Sequence, residues 1–483
     1  MTSAQALSMP VSVARTEERS PAWLGALQDL AREHAFEPLR VEGTLPADLA
    51  GTLYRNGPGR FQIAGERIPH WFDGDGAVSA VRIEGGRAHG AARLVRTTGL
   101  EREERAGKRL FGGYGTPLAR PLREMFMHDG KNTANTSVLL WQGRLFATCE
   151  AGQPYEIARG DLSTLGESSL DGIVEGPFSA HSHRVPSRRT TYNFGMTIGM
   201  GTQVDVYAMP DEGRASHVTR FKIDGARLNH DFAATDRHLV LAFAPHYMSL
   251  VQMILLRKAP VPSAAWKADR GTEIVVVPID EPSKIVRFKV DAFLMEHVVN
   301  AFEDGGELVI EYTHYAHADG LERFAGSILS GNVSAPLQSQ LRRMRIDVAR
   351  GTMKSEVVLD RAVELPRVSP SVDAARHRYT YCLEFGSVGE PFGALLKLDG
   401  ASGKVDEYRA GSGRYLGEGV FVPRPSGAQE DDGWVLTMAY DSRSDTSRLE
   451  ILDARRIGDG PVASCAFDHP IPLGFHGAWA PRS

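Results

Sequence analysis

Histidine is the residue type in this chain best placed to do chemistry, and four of its sixteen histidines stand apart by their surroundings. They lie in Ala180-His181, in Asn229-His230-Asp231-Phe232, in the run from His297 to Glu303, and in Pro472-Leu473-Gly474-Phe475-His476-Gly477-Ala478-Trp479. Each sits beside turn or strand-end residues, among small or apolar neighbours that favour burial. A buried imidazole needs a partner at both ring nitrogens. Four that met in one place would form a metal site ligated by imidazole alone, and such ligands usually need carboxylates on their outer nitrogens to orient them. Chain ends usually fray, yet the segment around His476 has the Pro, Gly and aromatic content of a buried, tightly turned backbone. The four segments are far apart in sequence, so only a fold that returns repeatedly to one axis can bring them together.

The elements that must do this are short and β-rich. From about Leu39 onward, runs such as Gly51-Thr52-Leu53-Tyr54-Arg55, Ser137 to Trp141, His238 to Phe243, Glu273 to Val277 and Gly433 to Met438 alternate with turn signals. Gln142-Gly143, Glu303-Asp304-Gly305 and Asp432-Gly433 are examples. Many short strands at even spacing predict an all-β propeller, sandwich or barrel. The length favours a propeller, although no repeat of the WD or kelch type is visible. Residues 1–19 read as a disordered N-terminal tail, and residues 20–483 as a single domain. Ser20-Pro21 reads as a helix start, followed by Trp23, Leu24, Leu27, Leu30 and Ala31 at helical spacing. This predicts a short amphipathic helix packed as a lid on a larger body. A second helix is expected over Ala335 to Met344. The apolar run Tyr247–Leu256, closed by Arg257-Lys258, reads either as a core element or as an exposed patch touching a membrane or guarding an apolar tunnel.

Composition sets the remaining bounds. The net charge of −5 leaves no basic footprint for nucleic acid and no polybasic membrane signal. Cys149, Cys382 and Cys465 form neither a disulfide framework nor a paired metal motif, which fits a reducing, cytoplasmic compartment. Met1 to Arg15 lacks the pattern of a secretory signal, and no apolar run approaches the roughly 20 residues that span a bilayer. Asp73 and Asp75, in Phe72-Asp73-Gly74-Asp75-Gly76, suit turn stabilisation better than calcium, because further oxygen ligands are missing nearby.

Several stretches together resemble the carotenoid cleavage oxygenases, a family of apocarotenoid oxygenases, stilbene-cleaving dioxygenases and the vertebrate retinoid isomerohydrolase. They include Leu53 to Gly59, Phe72 to Gly76, Asn132 to Thr136, Glu150-Ala151-Gly152-Gln153-Pro154, Ala180-His181, His230 to Ala233, His297 to Glu303, Glu418 to Pro425, Leu449 to Ala454, and Phe475-His476-Gly477. They run in family order from about residue 40 to the end. The resemblance implies a seven-bladed β-propeller with a helical and loop cap over the metal-bearing face. It implies Fe(II) held by His181, His230, His297 and His476, with dioxygen as co-substrate. His183 falls outside the motif, which places the ligand directly after the alanine. Glu150, Glu364 and Glu418 carry over as the orienting carboxylates, although Glu364 lies in Val363-Glu364-Leu365-Pro366, where the family pattern has Phe after the Glu. Thr136 carries over as a residue close to an open iron position. Imidazoles suit iron among the first-row metals, and an open position marks a catalytic site.

The implied reaction inserts both atoms of dioxygen across a C=C bond and releases aldehydes or ketones. The substrate is expected to be an apolar small molecule, a carotenoid or apocarotenoid, with a stilbene as the alternative. Stilbene cleavers of the family commonly carry Lys before the first carboxylate, where this chain has Cys149. Tyr114 remains a candidate to meet a phenol.

Overall fold

In the strand His238–Phe243, Leu239 and Leu241 belong to one buried cluster and Val240 and Ala242 to another. Successive strand residues point to opposite faces, so both faces of this sheet are buried, each against a different neighbour. The same holds around the molecule, which is a seven-bladed β-propeller. In this computed structural model, which describes residues 20–117, 130–255, 258–333, 336–386 and 390–482, seven sheets of four or five antiparallel strands form the blades. The hydrophobic cores lie between adjacent blades. That placement explains why the strands read as nearly continuous apolar runs.

The two ends of the chain close the ring. The C-terminal strand His476–Pro481 pairs with Gly51–Arg60, with Asn56 opposite His476, and so becomes the innermost strand of the first blade. The N-terminal strand Arg40–Gly43 pairs with Pro461–Ala466 as the outermost strand of the last blade. The Gly and aromatic content of the last segment is explained by this closure. A Cβ on Gly57 would stand 2.2 Å from the Cα of Gly474, and one on Gly474 would stand 2.6 Å from the carbonyl oxygen of Asn56.

Each blade presents its innermost strand to the axis, and each such strand carries one candidate residue at or near its start. Thr136 precedes Ser137–Trp141, His181 precedes His183–Val185, and His230 precedes Ala233–Ala234. His297 lies in Leu294–Asp304, Glu364 in Val363–Arg367, Glu418 in Arg414–Pro423, and His476 opens the closing strand. One residue per blade thus converges on one end of the axis.

A cap lies over that end. The helix Asp319–Ser327 and the turn Trp71–Asp73 share a core cluster with the N-terminal segment, through Phe324, Trp71 and Trp23. Three local expectations change. The N-terminal helix is a single 3-10 stretch, Ala22–Leu27, whose cap is Pro21 and not Ser20, with no capping side chain. Trp23, Ala26 and Leu27 are fully buried, so tertiary packing holds it where helical propensity would not. The expected second helix is replaced by the strand Gln340–Asp347, because its register against Leu308–His314 satisfies the neighbouring blade edge. Tyr247–Leu256 splits into the strand His246–Met248 and the helix Leu250–Leu255, with Leu256 outside the described residues. The 1–19 tail also lies outside them.

Candidate metal centre

The four histidines converge. One ring nitrogen from each of His181, His230, His297 and His476 lies within 4.8 Å of all the others. The Nε2 atoms of His181 and His230 are 2.9 Å apart, those of His230 and His297 3.2 Å, and those of His297 and His476 3.2 Å. His183 is outside this group. Its Nε2 sits 2.7 Å from Asp231 Oδ1.

The outer nitrogens explain why the inner ones face each other. His297 Nδ1 lies 2.5 Å from Glu364 Oε2, and His476 Nδ1 3.0 Å from Glu418 Oε1. His230 Nδ1 lies 2.8 Å from Glu150 Oε1. A carboxylate at Nδ1 keeps the proton there and leaves Nε2 as a lone-pair donor. Three such lone pairs directed at a common point repel one another unless a cation stands between them. Ligands at right angles about 2.1 Å from a metal are separated by about 3 Å, which matches the observed spacings. The donor set therefore fits a metal ion.

Charge in the pocket agrees. Burial works against a charged His230, but the carboxylates of Glu296 and Glu150 outweigh it and push that imidazole up to about 10. A positive charge is favoured at this point, so a proton on Nε2 and a metal ion compete for the same field. Burial, with the other imidazoles, holds His181 well below its ordinary value. Burial also pushes His476 down to about 4, against the pull of Glu418.

The supporting carboxylates are themselves held. Glu418 is fully buried and accepts from Arg367 Nε at 2.8 Å, Arg55 Nη1 at 3.2 Å and the Gly477 N–H at 2.8 Å. Burial alone would raise its pKa, but Arg367, His476 and Arg55 hold it well below the carboxylate range. Glu364 accepts from the Tyr315 hydroxyl at 2.6 Å and the Leu365 N–H at 3.2 Å. Register irregularities occur at both carboxylates and at His297: between Glu364 and Arg367, between Leu416 and Gly419, and between Met295 and Val298. Such bulges re-aim side chains toward functional sites. Leu365 sits at φ 53°, a left-handed conformation uncommon for leucine, which supplies the turn at Glu364.

The other expected residues are placed as follows. The Thr136 carbonyl accepts the His476 N–H at 3.3 Å, and its hydroxyl is donated to Asn135. Tyr114 donates its backbone N–H to Asp73, and its ring lies near His70 and Phe72. Asp73 thereby ties two loops together, and Asp75 pairs with Lys131.

Five residues of the site have no role in the sequence reading: Asp231, Arg55, Arg367, Tyr315 and Glu296. Asp231 accepts from the Val298 N–H at 2.7 Å and lies 3.9 Å from His181 Nδ1, so it links three of the histidine segments. Its adjacency to His230 was the available signal. The others depend on the bulges and on blade order. Tyr315→Phe is expected to weaken metal affinity about tenfold, as outer carboxylates lose their support, and to cost about 1–3 kcal/mol through the unsatisfied buried carboxylate. Chelator competition and denaturant titration would read the two effects, and an unchanged affinity would remove Tyr315 from the site.

Comparison with known proteins agrees with this geometry. The family model described as retinal pigment epithelial membrane protein matches residues 27–481. The apocarotenoid-15,15'-oxygenase of Synechocystis is 32% identical over 98% of this chain and 99% of its own length. The isoeugenol monooxygenase of Pseudomonas nitroreducens is 28% identical over 97% of this chain and 100% of its own. The crystal structure of cobalt-substituted Synechocystis apocarotenoid oxygenase superposes with a TM-score of 0.87 at 31% identity, covering 95% of this chain and 98% of that one. With the axis, the blades and the match over nearly the whole chain in agreement, this protein belongs to the retinal pigment epithelial membrane protein family of carotenoid-cleaving oxygenases.

Proposed function

We propose that the chain is a non-haem Fe(II) dioxygenase, a single-domain enzyme that cleaves a C=C double bond of a carotenoid or apocarotenoid into aldehyde or ketone products. The observation that carries this reading is the cluster of four imidazoles whose Nε2 atoms face one another at 2.9–3.2 Å. His181, His230, His297 and His476 would hold the iron. A ferrous ion there supplies the redox chemistry that lets both atoms of dioxygen add across the alkene. Glu150, Glu364 and Glu418 keep the protons on the outer nitrogens, so the imidazoles stay neutral ligands. Thr136, beside His476, limits what reaches the open side. Phe475, next to His476, packs against Trp71 at 4.8 Å and Phe72 at 5.5 Å between ring centroids, an apolar wall suited to a polyene.

Access is proposed through the surface around Tyr247–Leu256. Val251 is 64% exposed there, and Lys267 and Arg270 flank the Tyr247 ring, a pattern suited to transient contact with a membrane that dissolves the substrate. Among the described residues no helix is long and apolar enough to cross a membrane. The three cysteines are free and buried, in keeping with a reducing cytoplasm. Cleavage of a phenolic stilbene is the second reading, carried by Tyr114, whose ring lies beside Phe72, itself in contact with Phe475.

The test is anaerobic Fe(II) loading followed by aerobic incubation with apocarotenoids and hydroxylated stilbenes, read by product mass and oxygen uptake. Apocarotenoid-derived aldehydes formed with oxygen uptake are expected. Products from stilbenes alone would move the assignment to the second reading, and product without oxygen uptake would make the enzyme an isomerase.

A further inference from the structure

On the strand Gly51–Arg60, Asn56 stands opposite His476 at the end that carries the four histidines, whereas Gly51 stands opposite Pro481. Extended chain from Gly51 to Asn56 separates the two points by about 17 Å. At the Gly51 end, between the first and second blades, lies a cavity of about 330 Å³. It falls in the size range of small-molecule sites and shares no residue with the histidine cluster. Its space arises from the sequence. Thr52 pairs with Ala480 on one side and Arg82 on the other, so these three side chains share one face. Gly51, Thr52 and Ala480 are too small to fill the gap toward the second blade.

Three guanidinium groups line this cavity from separate elements. Arg82 belongs to the strand Asp75–Glu84, Arg159 follows the strand Tyr155–Ile157, and Arg482 follows the closing strand. Arg82 is held in place. It stacks on the Phe36 ring at 3.8 Å and donates from Nη2 to the Arg159 carbonyl at 3.1 Å. Arg159 donates from Nη1 to the Gly143 carbonyl at 3.3 Å. Both spend donors on carbonyls, and among the described residues neither pairs with a carboxylate. Arg482 pairs with Glu84 at 2.9 Å, and Glu84 is the one carboxylate in the lining. The cavity therefore keeps an excess of positive charge carried by Arg82 and Arg159. Guanidinium donors in a fixed plane select carboxylate or phosphate oxygens. A phosphate monoester carries about −1.5 to −2 at neutral pH, which matches that excess. Ile83, Tyr54 and Pro481 add an apolar wall for the organic part of such a molecule.

We propose that this cavity, remote from the metal, binds a phosphate monoester through Arg82 and Arg159, with Glu84 as the internal competitor that occupies Arg482. The site stands independently of the oxygenase reading. The phosphate comes either from a soluble ester or from a lipid headgroup, and the two sources are separable.

The experiment titrates the full chain calorimetrically at physiological ionic strength, where diffuse surface charge is screened. The probes are adenosine monophosphate, glycerol phosphate, adenosine, succinate and inorganic phosphate. Sedimentation with phosphatidylcholine vesicles, with and without phosphatidic acid, forms a parallel arm. At least one phosphate ester, soluble or in vesicles, is expected to bind at least about tenfold more tightly than its uncharged counterpart. Arg82→Gln and Arg159→Gln are each expected to weaken that binding about tenfold or more. Glu84→Gln is expected to tighten it severalfold, a gain that a damaged fold cannot produce. Metal content and oxygen uptake stay at the native level in all three variants. Arginine-dependent binding of a soluble ester assigns a free metabolite, and arginine-dependent binding to phosphatidic acid alone assigns a lipid headgroup. The proposal is overturned if no ester binds, if succinate binds as tightly as the best ester, or if only inorganic phosphate binds. Affinity that survives both arginine substitutions, or that falls in Glu84→Gln, overturns it as well.

Discussion

His476→Ala is expected to remove metal binding and cleavage together. Outer carboxylates alone change metal affinity about 10–100-fold, so loss of a ligand should exceed about a hundredfold, with activity falling at least as far. Two contacts amplify the effect. His476 Nδ1 is one of the partners of Glu418, and the His476 backbone N–H reaches the Thr136 carbonyl across the closure of the ring. Since His476 opens the closing strand, the variant needs a fold control. His230→Ala supplies one, because His230 precedes only a two-residue strand and bears no closure contact. Metal content by elemental analysis, thermal unfolding and oxygen uptake should be measured for both. Loss of metal in both with native-like unfolding is the expected result. Full metal occupancy in either would exclude that histidine as a ligand.

Glu418→Ala is expected to cause the largest loss of stability among the site substitutions. It removes the counter-charge of Arg55 and Arg367 at once. The two guanidinium groups will not respond alike. Arg367 is 38% exposed at its side chain and can turn toward water, whereas Arg55 is 3% exposed and cannot. Breaking a buried pair on one side typically costs about 3–5 kcal/mol, a large share of the net stability of a domain. Glu418→Gln keeps the volume and one acceptor oxygen but not the charge, so it should cost less. Arg55→Met paired with Glu418→Gln should recover stability without recovering metal affinity. Denaturant unfolding and metal titration of the four proteins would separate the effects. A Glu418→Ala protein within about 1 kcal/mol of native would mean that Arg55 finds another partner.

Much of this architecture can be read from residue order. Short apolar runs at even spacing, broken by Gly and Asp turns, point to blades because a strand buried on both faces must be apolar throughout, as His238–Phe243 is. Where local pattern and tertiary packing compete, packing wins. Ala22–Leu27 has helical spacing but forms only one 3-10 stretch against the cap, and the segment before Met344 has helical character but joins a blade as a strand. Glu296 escaped notice because a glutamate beside a histidine on a strand ordinarily faces solvent. A register irregularity between Met295 and Val298, which includes Glu296, accompanies its burial instead.

What the sequence determined by itself was the set of chemical groups and their order along the chain: four histidines in burial-prone segments, a C-terminal segment too tightly built to fray, and alternation suited to repeated sheets. Those are local properties, carried by residue type and near neighbours. The tertiary structure alone decided which nitrogens face one another, which carboxylate meets which imidazole, and that Arg55, Arg367, Tyr315 and Asp231 hold the arrangement. Those properties depend on bulges of a single residue and on closure of the ring by strands from opposite ends of the chain. A one-residue shift in a strand turns every side chain to the other face, so no local pattern can specify them.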